Sequence, residues 1–151
     1  MIQRIQSIYL FFVAILGICF IYIPYAEMPN LQLIFRLAGI YNIKTGAFLA
    51  TSVYLLILNA LIIILASFVL FLYKNRKLQI KLCNILISLI FIHLLLLLVE
   101  LFIIPNSLKI SEVPSLRVGF FIPCVAIICS FLARRGVVKD EALVRSADRI
   151  R

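Results

Sequence analysis

One histidine, five glycines and six acidic residues leave this 151-residue chain short of the groups from which most active sites are built. A lone histidine rules out a zinc-binding HExxH helix, and glycines this scattered form no loop that could cradle a phosphate. No serine stands at a nucleophile elbow and no pair of aspartates falls within an apolar segment, so protease, phosphatase and transferase chemistry lack their residues. Four cysteines, Cys19, Cys83, Cys124 and Cys129, lie inside apolar runs at no metal-like spacing and read as buried small hydrophobes. The chain is therefore expected to be non-enzymatic, with no cofactor and no bound metal.

Charge is scarce as well, at 14% of residues, whereas 65% are hydrophobic and the mean hydropathy is +1.19. A soluble core of this length cannot hide so much apolar surface, so lipid is the expected solvent for most of it. Apolar stretches near the length a helix needs to cross a bilayer fall at residues 5–23, 48–73, 82–104 and 114–133. The expected fold class is all-α: a polytopic integral membrane protein, a four-helix transmembrane bundle with a small β-hairpin-like outer loop.

The first segment opens like a signal peptide, but the bulky Ile18 before Cys19 departs from a lipoprotein cleavage site, and it is read as a retained signal anchor. Between residues 24 and 47, Pro24, Pro29, Asn30, Gly39, Asn42 and Gly46 punctuate the chain. Leu31–Leu37 and Ile40–Lys44 are rich in β-branched and aromatic residues, with a turn at Ala38–Gly39, and predict a hairpin. The second outer loop, 105–113, has an alternating Ser107–Ser111 that offers a third strand, and Pro114 suits the first turn of the fourth helix. The short link at 74–81 makes helices two and three antiparallel neighbours.

Lysine and arginine set the orientation, because short loops rich in them stay cytoplasmic. Arg4, the cluster Lys74, Arg76, Lys77 and Lys81, and the tail from Arg134 onward hold most of them, which places both termini in the cytoplasm. Tyr9 and Tyr73 then fall near the inner boundary and Tyr22, Tyr25 and Tyr54 near the outer. Topology accounts for most of the net charge of +9, so direct nucleic-acid binding is not expected.

Within the segments, Gly119, Pro123, Ala126, Ser130 and Ala133 recur at helical spacing, a face that lets backbones approach. His93 and Glu100 share a face of the third helix, and Asn59 comes to an intermediate depth on the second. A polar cluster of Asn59, His93 and Glu100 results, with Arg117 as the expected counter-ion of Glu100. Ionisable groups at that depth are functional candidates by default, but a relay needs a ladder across the membrane, and the inner half offers only Asn84 and Ser88. A clamp tying helices two, three and four is the favoured reading.

The end of the chain, RRGVVKDEALVRSADRIR, differs in character. Gly136 is expected to stop the fourth helix and Asp140 to cap a short new one, with Glu141 paired to Arg145. A docking tail of Lys139, Asp140, Glu141, Leu143, Arg145, Asp148, Arg149 and Arg151 follows. The opening MIQRIQ and the closing KDEALVRSADRIR resemble a family of small four-crossing inner-membrane proteins of Bacteroidota of unknown function. That resemblance implies a bacterial inner-membrane location and brings no activity. The larger first outer loop also looks like the claudin-type tetraspan plan in architecture alone.

The expected function is a non-enzymatic accessory or scaffold subunit that meets membrane lipid and a larger membrane complex through its helices and tail. The alternative is a small ion-coupled transporter using the Asn59, His93 and Glu100 cluster. The sequence leaves the oligomeric state open.

Overall fold

The computed structural model describes residues 2–50, 52–72, 75–107 and 113–148. Its four long helices are α1 (Ile2–Tyr22), α2 (Val53–Phe71), α3 (Arg76–Ser107) and α4 (Phe121–Asp148), with a single 3₁₀ turn, Val118–Phe120, before the last. Each helix packs on two neighbours in a closed square: α1 on α2 and α4, α3 on α2 and α4. Three spans, Val53–Phe71, Arg76–Ile103 and Val118–Val144, are long and apolar enough to cross a membrane, and α1 adds a shorter apolar stretch, Gln6–Tyr22.

Burial on every helix follows one narrow line. The buried residues step by four and three: Gln6, Leu10, Val13, Gly17 and Phe20 on α1, and Leu55, Asn59, Ile62, Ala66 and Val69 on α2. On α3 the line is Gln79, Cys83, Leu86, Ile90, His93, Leu97 and Glu100, and along the 3₁₀ turn and α4 it is Gly119, Pro123, Ala126, Ser130, Ala133 and Val137. A spacing of 3.5 residues keeps one stripe facing its neighbours over the whole helix length when the helices wind left-handedly. The small face expected on the fourth helix is thus buried in full. The opposite faces carry exposed Phe11, Phe12, Phe68, Phe91, Phe102 and Phe131.

A five-stranded antiparallel sheet covers one end of the bundle: β1 (Ala26–Met28), β2 (Leu33–Arg36), β3 (Gly39–Asn42), β4 (Phe48–Ala50) and β5 (Ser115–Leu116), in the order β4-β3-β2-β1-β5. The expected hairpin is there as β2 and β3, paired from Leu33↔Asn42 to Arg36↔Gly39 and closed through Leu37 and Ala38. Asn42 builds the next turn, its Oδ1 accepting from Lys44 N at 3.0 Å and Thr45 N at 3.2 Å, and Gly46 follows at φ +65°. Alternation buries Met28, Leu33, Phe35 and Ile40 against Phe20 and Leu97 below.

Several boundaries differ from the sequence reading. Residues 48–50 pair with β3, so α2 starts only at Val53. The charged stretch from Arg76 to Lys81 belongs to α3, because Asn75 Oδ1 caps it by accepting from Leu78 N at 3.4 Å. Pro114 precedes β5, and Pro123 is the proline in the first turn of α4. Gly136 does not end a helix: α4 runs through it to Asp148, and the expected tail helix is its continuation. The glycine serves close approach, since a Cβ there would stand 2.7 Å from Gln6 Cγ. The alternating residues 108–111 and the proposed belt residue Tyr73 lie outside the described residues.

The tightest junction joins the two chain segments under the sheet. Gly119 N donates to Pro24 O at 3.0 Å and Arg117 N to Tyr25 O at 2.9 Å, and a Cβ on Gly119 would meet Pro24 O at 2.5 Å. Backbone cannot yield as a side-chain tip does. Gly119→Ala is expected to cost about 1–3 kcal/mol in thermal unfolding of the detergent-solubilised protein. Gly46→Asn, at a left-handed position with open space around it, should stay within about 0.5 kcal/mol of the parent. Equal losses at the two positions would count against this junction as the lock of the bundle.

Candidate functional site

All the polar side chains buried in the bundle sit on the inward stripes: Gln6, Asn59, Gln79, His93, Glu100 and Ser130. Most of them are tied to another helix or to the chain end beside it. Gln79 Nε2 donates to Val69 O at 3.3 Å, a carbonyl in the last turn of α2 that also accepts from Leu72 N at 3.2 Å. Asn59 Nδ2 donates to Gly17 O at 2.9 Å, where the missing side chain bares the α1 backbone.

Two helical turns of α3 separate His93 from Glu100, and their surroundings differ. His93 is 1% exposed and meets the Phe20 ring edge-on at 5.6 Å, and neither ring nitrogen has a partner among the described residues. Beside it lies a small space of about 20 Å³, lined by Gly17, Phe20, Asn59, Ile62, His93 and Pro123 among others. That volume holds about one water molecule. Asn59 and His93 therefore line one interior space.

Glu100 belongs to the sheet end instead. Ser52 Oγ donates to its Oε1, and the Tyr25 hydroxyl faces the same carboxyl, while Oε2 has no partner among the described residues. Ser52 is the N-cap of α2 by position, yet its hydroxyl is given to Glu100 and makes no capping bond. Burial, and behind it the negative charge of Glu100, hold the Tyr25 phenol above its ordinary range. Tyr25 is 1% exposed, so it is a core residue and not part of an interfacial belt.

Arg117 is not the counter-ion of Glu100. It follows β5, opposite Tyr25 on the extension of β1, and its Nη2 pairs with Glu27 Oε2, a diagonal neighbour in that ladder. The guanidinium, half exposed, stays at the sheet surface, where charge is cheaply solvated, and the buried carboxyl below takes hydroxyl donors. Asn84 and Ser88, the only polar groups once available for the lower half, face outward. Ser52, Tyr25, Gln6 and Gln79 are the site residues that sequence reasoning missed. Their signal was spacing: Gln6 leads the stripe Leu10, Val13, Gly17, Phe20, and Gln79 leads that of His93.

The chain matches a family described as "Domain of unknown function (DUF4293)" over residues 2–150. It belongs to that family. No curated protein and no solved structure matches the chain. The expected membership of a family without an assigned activity therefore holds, and the residues of this DUF4293 chain must be read on their own chemistry. Among the described residues, no group of three His, Cys, Asp or Glu side chains comes together to hold a metal.

At the opposite end, the proposed docking residues divide. Asp140 is bound into the fold, its Oδ2 accepting from Gln6 Nε2 at 2.6 Å and its backbone oxygen from Arg76 Nη1 at 3.2 Å. Lys139 and Leu143 are exposed on the last turns of α4, and Glu141 is half-buried. Arg149 and Arg151 lie outside the described residues, as do the side chains of Arg145 and Asp148 and hence the expected Glu141–Arg145 pair.

The arrangement separates a clamp from a relay by stability. Asn59→Ala should lower stability by about 0.6–1.7 kcal/mol, the range of interhelical hydrogen bonds in membrane bundles. His93→Phe keeps the edge contact to Phe20, removes two unpartnered nitrogens and should leave stability unchanged or raised. Thermal unfolding followed by labelling of the buried Cys83 thiol reads both, and a large loss at His93→Phe with none at Asn59→Ala would reverse the assignment.

Proposed function

We propose that the chain is a non-enzymatic accessory or scaffold subunit in the inner membrane of a Gram-negative bacterium, of Bacteroidota by the resemblance of its two ends. The observation that carries this reading is the use made of the polar groups. Gln6, Asn59, Gln79 and Glu100 join parts of the bundle to one another, and the outward faces carry almost only apolar side chains. A bundle of this kind offers its surface and its ends, not a cavity.

Membrane placement rests on length, apolarity and charge. At about 1.5 Å per residue, the 19 residues of α2 nearly match a hydrocarbon core of about 30 Å. The 32 residues of α3 and the 28 of α4 exceed it and must project. Their projecting parts carry Arg76, Lys77, Lys81, Arg135 and Lys139, which supports a cytoplasmic basic end with both termini there and the sheet outside. The projecting turns expose Val138, Leu143 and Val144, a helical stub fitted to a larger membrane complex.

A second reading, a small ion-coupled transporter, is favoured by the His93 nitrogens, unpartnered among the described residues, beside a small cavity and by Glu100 Oε2. Leu97 lies between the two sites on α3 and separates them with an apolar layer.

Full-length protein purified from its own membranes in mild detergent tests the proposal. A stoichiometric partner is expected, reduced at least severalfold by Leu143→Glu with Lys139→Glu while thermal unfolding is unchanged. Absence of any partner, together with altered ion flux into vesicles for Glu100→Gln, would overturn the scaffold in favour of the transporter.

A further inference from the structure

A concavity on the outside of the bundle lies between α3 and α4 near the basic end. It is an open groove of about 320 Å³, lined by Asn84, Ile87, Ser88, Phe131 and Arg134. Arg134 Nε donates to Asn84 Oδ1 at 2.5 Å. That bond fixes the plane of the guanidinium and leaves Nη1 and Nη2 as the donor pair for an anion, the fork that matches two oxygens of one phosphate.

Three features of the groove point the same way. The first is charge. Lys77 and Lys81 stand on the same stripe of α3 as Asn84 and Ser88, at steps of four and three, and Arg135 follows Arg134 on α4. The second is depth, since Arg134 comes directly after the apolar run of α4 and Asn84 shortly after Lys81, so both sit where hydrocarbon gives way to water. The third is polarity along the axis. Ile87 and Phe131 form the wall on the apolar side, and exposed Phe91 and Ile128 continue it one turn further toward the sheet. A ligand fitted to this groove is anionic at the basic end and apolar along the rest.

We infer that the groove seats an anionic phospholipid of the leaflet at the basic end. Its phosphodiester lies on Arg134 and the Asn84 side-chain amide nitrogen, while the Ser88 hydroxyl, donating to Asn84 O at 3.1 Å, lines the groove without a donor to spare, and an acyl chain runs along Ile87 and Phe131. A free phosphate satisfies only the polar half, and a zwitterionic phospholipid, which carries the same phosphodiester, brings a cationic headgroup against Lys77, Lys81, Arg134 and Arg135. The inference rests on the membrane reading, and the two fail separately: a chain stripped from membranes by alkaline carbonate defeats that reading, whereas a retained chain without lipid preference defeats the groove alone.

Native mass spectrometry of the full chain in mild detergent, titrated with equimolar phosphatidylglycerol and phosphatidylcholine, is the test. Retention of phosphatidylglycerol should exceed that of phosphatidylcholine by about tenfold, the scale of one charge-assisted contact. Arg134→Gln should abolish the preference, and Arg134→Lys, which keeps charge but not the fork, should recover only part of it. Ser88→Trp, which fills the groove without changing charge, should also lose the lipid and serves if Arg134→Gln does not fold. Arg36→Gln, on the sheet, should bind like the parent. The inference is overturned by equal retention of the two lipids, by an Arg36→Gln loss as large as that of Arg134→Gln, or by glycerol phosphate competing as well as the lipid. It is equally overturned if a second copy of the chain occupies the groove, seen as a dimer that Ser88→Trp dissociates with no bound lipid released.

Discussion

Every helix of this protein turns only one residue in three or four toward its neighbours, and the rest of the structure follows from that narrow seam. A buried stripe at 3.5-residue spacing is enough to hold four helices side by side when small residues let them close. Ala126, Ser130 and Ala133 on α4 and Gly17 on α1 supply that closeness. The same economy leaves Phe11, Phe68, Phe91 and Phe131 outside, on an extensive apolar surface. Packing and surface are thus one constraint: a seam this narrow leaves most apolar side chains outside, a distribution compatible with a bilayer.

Polar groups on such a seam act differently from those in a soluble core. Where lipid surrounds a bundle, apolar contact between helices is nearly matched by contact with lipid tails, so a hydrogen bond placed between helices selects which faces meet. Asn59 against Gly17 O fixes α2 on α1 at mid-height, and Gln79 against Val69 O fixes the turn from α2 to α3. Glu100 with Ser52 and Tyr25 ties α3, α2 and the approach to the sheet at the other end. Among the described residues His93 and Ser130 stand on the stripes without a bond; Ser130 is small enough to serve close packing, and the presence of His93 is not explained by packing alone.

How far the sequence could be read depended on contrast. Apolar runs announced four helices, and the β-branched, glycine-punctuated stretch from Leu33 to Asn42 announced the hairpin. Inside the helices, though, every face is apolar, so the buried stripe is visible only through its few polar and small members, and Gln6 and Gln79 passed as flanking residues. Phe48–Ala50 reads equally as helix or strand, and pairing with β3 decided it. The partner of Arg117 depended on the register Glu27↔Ser115 of a two-residue strand, for which no sequence pattern exists. Gly136 carries the ordinary mark of a helix end, and only the neighbouring Gln6 shows that it marks a contact instead.

That last contact alters what the end of α4 can be. A flexible tail would meet a partner as a tether, independent of the bundle's packing. Here Val137 continues the buried stripe beyond Ala133, and Asp140 is held by Gln6 of α1 and Arg76 of α3, so the projecting turns are an extension of the same seam. Anything that docks on Leu143 or Val144 therefore meets a surface whose position is set by three helices at once. Any shift of α1 against α4 must move Asp140 or break its bond to Gln6, which couples the packing of the bundle to the face presented at its basic end.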